Sequence, residues 1–157
     1  MRGLLGLVAA VICAAACSTG SSTFALTGAS VDPTYFCPGG ANNAAYDMHA
    51  TIDVHNGTGK AVTIDSITAQ MTLASVTGDW LEKVGDRYDA GSAKFNPSDV
   101  AAGADAKVKV TIPSACTSGT YGTGVSSSGN YRVIMRVVTS AGTFSVTSAN
   151  EHEIVAA

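Results

Sequence analysis

Two histidines and an aspartate, His49, Asp53 and His55, stand at spacings of four and two in this chain. In an extended segment alternate side chains project from one face. Two imidazoles and a carboxylate would then lie side by side, a donor set that suits a divalent metal and, through an activated water, hydrolysis. Lys107 and Lys109 on another extended segment offer a competing role, as cross-strand charge partners for Asp47 and Asp53 on a solvated face. A cation-binding face is not ordinarily bordered by lysines, so the charge-partner role is preferred. A second acidic group, Asp79, Glu82, Asp86 and Asp89 with Asn96 and Asp99 beyond, supplies oxygen ligands of the type Ca²⁺ takes. It lacks the D-x-[DN]-x-[DN]-G rhythm of a calcium loop, and Lys83 and Arg87 interrupt it, so an ordinary surface loop is expected. Gly57-Thr58-Gly59-Lys60 runs into Ala61 and an alternating segment, not into Ser or Thr and a helix, which excludes a phosphate loop. His152, flanked by Glu151 and Glu153, is a pH-sensitive group expected to sit exposed at a fraying terminus. There is no GxSxG, and no acid pair is framed by apolar sequence that would raise a carboxyl pKa. No catalytic residue and no cofactor is expected.

Binding is better supplied than catalysis. The stretch 116–130 (CTSGTYGTGVSSSGN) is long and small-residued, with Tyr121 as its only aromatic. Binding loops on rigid scaffolds share that composition, because Tyr gives contact area while Ser and Gly adapt. Trp80, the only tryptophan, lies in another irregular segment and is suited to stacking on a sugar; Tyr88 stands nearby. The preferred reading is the plainer one, that Trp80 and Tyr88 cap the core and the 116–130 loop is simply mobile.

The elements that must position these groups have a period of two. Over 46–54, Tyr46, Met48, Ala50, Ile52 and Val54 form one set, against Asp47, His49, Thr51 and Asp53 on the other. Asn56-Gly57-Thr58-Gly59 then turns the chain. A second strand over 61–73 changes parity between Ile64 and Ile67, which predicts a bulge near Asp65-Ser66. Residues 78–103 are irregular and suggest a hairpin with Trp80-Leu81 on one arm and Arg87-Tyr88 on the other. Further strands are predicted over 104–112, stopped by Pro113, over 131–138, and over 143–155, with a weaker one over 25–31. No segment longer than a turn has a helical period.

The N-terminus is an address. Arg2 precedes an apolar run, GLLGLVAAVICAAA, too short to span a bilayer and ending in small residues, the pattern of a cleaved export signal. Ala14-x-Ala16 suits ordinary signal peptidase. The same stretch resembles a bacterial lipobox whose lipidated residue would be Cys17, although Ala14 stands where Leu is usual. Residues 18–23 (STGSST) form a flexible spacer. The expected division is a signal peptide over 1–16, a tether over 17–24 and a folded domain over 25–157. With Cys13 removed and Cys17 taken, Cys37 and Cys116 are left as a disulfide in an oxidising compartment.

Strands of this length with Gly/Asn/Ser turns predict an all-β antiparallel sandwich of about seven strands. The order resembles an immunoglobulin-like domain, with a first strand before Cys37, B at 46–55, C at 61–73, C′/D within 79–97, E at 104–112, F at 131–138 and G at 143–155. Tyr131 falls where such domains place a tyrosine corner, and Val133 replaces their second core Cys. The resemblance puts Cys37 in the A–B loop and Cys116 in the E–F loop, at one end of the sandwich. The stretch 52–70 (IDVHNGTGKAVTIDSITAQ), followed by Val100-Ala101-Ala102-Gly103, is similar to small secreted bacterial domains of this kind.

With 157 residues, 13% charged and a net charge of −3, the chain has room for one domain and no basic face for nucleic acid. The expectation is a non-enzymatic interaction or structural module on a bacterial cell surface, anchored in the membrane by lipid on Cys17, with an unidentified protein or glycan partner. The alternative is a freely secreted carbohydrate- or protein-binding module that uses Trp80 and Tyr121. A metallo-hydrolase built on His49 and His55 comes last.

Overall fold

A computed structural model describes residues 23–116 and 127–156. Cys17 and Tyr121 lie outside the described residues, as do the proposed signal and most of the tether.

Among the described residues eleven strands run in chain order: β1 (Phe24–Val31), β2 (Thr34–Phe36), β3 (Ala44–Asn56), β4 (Val62–Thr77), β5 (Arg87–Ser92), β6 (Lys94–Asn96), β7 (Asp99–Val100), β8 (Asp105–Cys116), β9 (Ser127–Thr139), β10 (Gly142–Thr147) and β11 (His152–Ala156). Two sheets face each other. The smaller has the order β1-β3-β8-β6, and the larger β2-β11-β9-β4-β5, with β10 and β7 pairing β9 and β4. This is an immunoglobulin-like β-sandwich. The strand count exceeds seven because predicted strands are divided, the first strand and the 79–97 stretch where the chain changes sheets and the last strand within one sheet. The first strand pairs with β3 as β1, crosses at Asp32-Pro33, and joins the other sheet as β2, parallel to β11. The last strand is also divided: β10 pairs the second half of β9 and β11 the first. Between them the side-chain amide of Asn150 clamps the backbone of Val31, accepting from its N–H at 3.1 Å and donating to its C=O at 2.9 Å. That clamp closes the gap between the sheets on one edge.

Parity sets the core. Met48, Ala50, Ile52 and Val54 from β3 meet Val108, Val110 and Ile112 from β8. Ile67, Ala69, Met71 and Leu73 from β4 and Val133, Met135 and Val137 from β9 cover them from the other sheet, all buried. The bulge predicted near Asp65 is present: the register of β4 against β9 shifts between Ile64 and Ser66.

The inward set of β3 continues one step beyond the apolar run, to Asn56, which is fully buried. Its Nδ2 donates to the carbonyls of Lys60, Val100 and Ala101, and its Oδ1 accepts from the backbone N–H and hydroxyl of Thr58. One side chain thus satisfies the backbone of two turns.

The expected hairpin with Trp80-Leu81 as an arm does not form. Residues 78–86 are a loop, and Arg87 and Tyr88 pair with Thr72 and Met71 of β4. The long β4 already provides the partner, so the short segment before Gly85 is free to fold over the end of the sheets.

Candidate functional site

The candidate site lies at the end of the sandwich closed by Cys37 and Cys116. These cysteines are bonded, with Cα atoms 5.8 Å apart, within the range a disulfide bridges. Cys37 follows β2 and Cys116 ends β8, so the bridge ties the larger sheet to the smaller. Above it lies a cleft of about 100 Å³ lined by Cys37, Trp80, Leu81, Glu82, Ala115, Cys116, Tyr131 and Ile154. A second cleft of about 140 Å³ shares Glu82, Tyr131, Ala115 and Ile154 and adds Tyr88, Met71, Ser114 and Asn43.

Gly129 creates the seat for Trp80. It occupies a core-facing position of β9, and a Cβ added there would fall within 2.6 Å of the indole. A glycine at core parity inside a strand is a signal of close approach, and here the approaching group is Trp80. The ring packs against the core, and its Nε1–H donates to the Tyr131 hydroxyl at 2.9 Å. Tyr131 in turn donates to Oε2 of Glu82. Burial, and next this bond to a carboxylate, push the Tyr131 phenol well above the usual tyrosine range. Tyr131 is therefore not a tyrosine corner, since its hydroxyl serves two side chains of the 78–86 loop. Gly129→Ala should displace the ring, lowering stability by about 1–3 kcal/mol and shifting the emission of the only tryptophan to the red. An unchanged spectrum and urea midpoint would refute this seating.

The remainder of the loop is pinned by backbone bonds. Asp79 N–H donates to Ser127 Oγ at 3.2 Å, Gly85 N–H to the Leu73 carbonyl at 2.9 Å, and Lys83 N–H to Asp86 Oδ2 at 2.9 Å. Leu81, at 57% exposure, Val84, at 60%, and Tyr88, at 41%, nevertheless face solvent. Among the described residues the other exposed large apolar side chains are Val76 and Phe36, so four of the five fall between positions 76 and 88.

His152 is not exposed at a frayed end, contrary to the sequence expectation; it is fully buried beside Tyr131 in the β9–β11 ladder. It shares parity with Ile154, and the acidic neighbours Glu151 and Glu153 point the other way. Its Nδ1 lies 2.7 Å from the Asp32 carbonyl, which can only accept, so Nδ1 carries the proton and Nε2 accepts from the Tyr46 hydroxyl at 2.9 Å. Tyr46 is stacked on Tyr35, with ring centroids 3.8 Å apart, and burial pushes its phenol up to about 12. Burial holds the His152 pKa below the ordinary 6.5, outweighing the opposing pull of Asp32. The unfolded chain therefore takes up a proton near pH 6.5 that the folded one refuses. Stability from this residue is complete above that pH and falls on acidification, at most by about 1.4 kcal/mol per unit. Urea midpoints between pH 7.5 and 5 should fall in the parent chain and flatten in His152→Gln. Parallel profiles would contradict the assignment.

The metal-type residues are dispersed into pairs. His49 bonds to Asp32 at 3.0 Å, His55 to Asp105 at 2.7 Å, and Asp53 to Lys107 at 2.6 Å. Lys107 stands opposite Asp53 as the charge-partner reading requires, whereas Lys109 stands opposite Thr51, and Asp47 opposite Pro113. The acidic group does not converge either: Asp89 accepts from Gln70, and Asp99 accepts from Thr63 and Ser98. Those two hydroxyls hold the Asp99 carboxyl below its ordinary value. Among the described residues no three ligating side chains gather to hold a metal.

Of the three candidate contact residues, Trp80 and Tyr88 come together around the paired clefts, and Tyr121 lies outside the described residues. Because the Trp80 N–H is committed to Tyr131, stacking on a sugar would have to use what the core leaves of the ring.

Comparison with known proteins adds little to this. No protein-family model matches the chain, and no curated protein matches it. Among solved structures, the ASH / PapD-like domain of human CEP192 (PapD-like domain 7) aligns over 83% of this chain and 84% of that one, with 11% identity and a TM-score of 0.32. The Vibrio cholerae VesB protease aligns over 82% of this chain and 32% of its own, with 13% identity and a TM-score of 0.24. The immunoglobulin-like assignment rests on strand order and register.

Proposed function

We propose that this chain is a non-catalytic, extracytoplasmic interaction module of the bacterial cell surface, held to the membrane by lipid on Cys17 once residues 1–16 are removed. It meets a protein partner through the end formed by residues 78–88. One observation carries the second part: a loop pinned from both sides keeps Leu81 and Val84 in water, next to the exposed Tyr88 of β5. Apolar groups exposed on a pre-ordered loop lose little conformational freedom when a partner covers them, which is what makes a surface patch an interface. The small-residue run before Cys17 and the spacer after it support the tether.

The test uses a photo-crosslinking residue at Leu81 in intact cells that make the protein, with Lys60, in the turn after Asn56, as the control position. Adducts expected at 81 should be absent at 60 and lost when Val84 is changed to Asp. Equal labelling at both positions would defeat the interface. Mass spectrometry of the mature N-terminus decides the anchor: diacylglycerol on Cys17 supports it, and an unmodified Cys17 ends it.

A further inference from the structure

We infer that the cleft beside Trp80 receives a lysine side chain of the partner protein; this rests on the interaction-module reading above and adds the chemistry of the contact. The walls are mixed: Leu81, Ala115, Ile154 and the buried Cys37–Cys116 bridge supply apolar surface beside the polar Glu82 and Tyr131. A volume of about 100 Å³ admits one unbranched aliphatic side chain and no folded element. A lysine stem is such a chain, buried along apolar surface while its charged head stays at the rim.

The rim supplies the charge. Glu82 is exposed, and its Oε2 is engaged by Tyr131. That bond uses one of its two carboxylate oxygens. Because Tyr131 and Trp80 hold this carboxylate in place, little ordering remains when a cation arrives. Asp79 and Asp86 on the same loop add negative field, against Lys83 and, just after the loop, Arg87. The indole forms one wall, and its ring attracts an ammonium as well.

The same geometry discriminates between ligands. A guanidinium is best held by both oxygens of a carboxylate in a planar fork, and here one oxygen is already taken; a compact ammonium needs only one. A purely aliphatic side chain forgoes the charge-assisted bond that an ammonium makes to the Glu82 carboxylate.

The test titrates the full processed chain with N-acetyl-lysinamide, N-acetyl-norleucinamide and N-acetyl-argininamide, following the emission of Trp80, the only tryptophan. A single side chain should bind in the millimolar range. The lysine compound is expected to saturate the signal, with the other two about tenfold weaker. Glu82→Gln keeps the shape and the bond from Tyr131 but should weaken lysine about tenfold. No saturation below about 100 mM, equal binding of norleucine or arginine, or an unaffected Glu82→Gln variant would each overturn the inference. Crosslinks at Leu81 that persist in Glu82→Gln would leave the interaction module standing without its lysine. A clean lysine preference without any crosslink would do the reverse.

Discussion

Val110→Asp should prevent folding, whereas Lys109→Asp, one residue away, should cost less than about 1 kcal/mol. Val110 is 1% exposed on β8, between Ala50 of β3 and Phe95 of β6. A carboxylate there would face the apolar interior with no cation in reach, and an unpaired buried charge costs several kcal/mol, comparable to the whole stability of a domain this size. Lys109 points to the other face, where its Nζ meets Thr51 at 3.1 Å in an exposed position. Circular dichroism and urea unfolding of both variants would measure the contrast. Equal damage from the two would mean that the faces of β8 are wrongly assigned.

Loss of the Cys37–Cys116 bridge should lower stability by about 4.5 kcal/mol, the chain-entropy value for a loop of this length. The cysteines are 79 positions apart in sequence. Cys37→Ser/Cys116→Ser, or reduction of the parent chain, should shift the urea midpoint accordingly. A loss below about 1 kcal/mol would show that the unfolded ensemble gains little freedom from the cut. The bridge also forms part of the cleft wall beside Trp80 and Ile154, so the tryptophan emission should change on reduction before the sheets unfold.

These two effects are the ones most visible in the amino-acid string. Alternation along 46–54 and 104–112 locates the faces of β3 and β8, and the change of parity after Ile64 locates a bulge. The pairing of Cys37 with Cys116 is the one expected from the cysteine spacing in an oxidising compartment, and the two are bonded. Each of these is a local consequence of the pleat, which sends every second side chain to the same side. Three further residues also obey parity but were hidden by their polarity or size. Asn56 extends the inward set of β3, His152 shares the phase of Ile154, and Gly129 keeps the phase of Tyr131. Parity says where a side chain points. It does not say that a carbonyl, a hydroxyl or an indole waits there to meet it.

The loop over 78–86 was the least legible part, because a segment without period carries no instruction about its own surroundings. Its shape comes from partners far along the chain: Ser127 for Asp79, and Tyr131 for Trp80 and Glu82. From its sequence alone this chain determined its all-β class, the inner and outer faces of its long strands and the cystine that staples one end. Only the tertiary structure decided that Trp80 is seated on Gly129, that His152 is buried, that the histidines are split into separate pairs, and that Leu81 and Val84 are left in water. The division has one cause: a pleat is specified by neighbours two residues apart, while a site is specified by groups about fifty to a hundred residues apart that meet only after the sheets have closed.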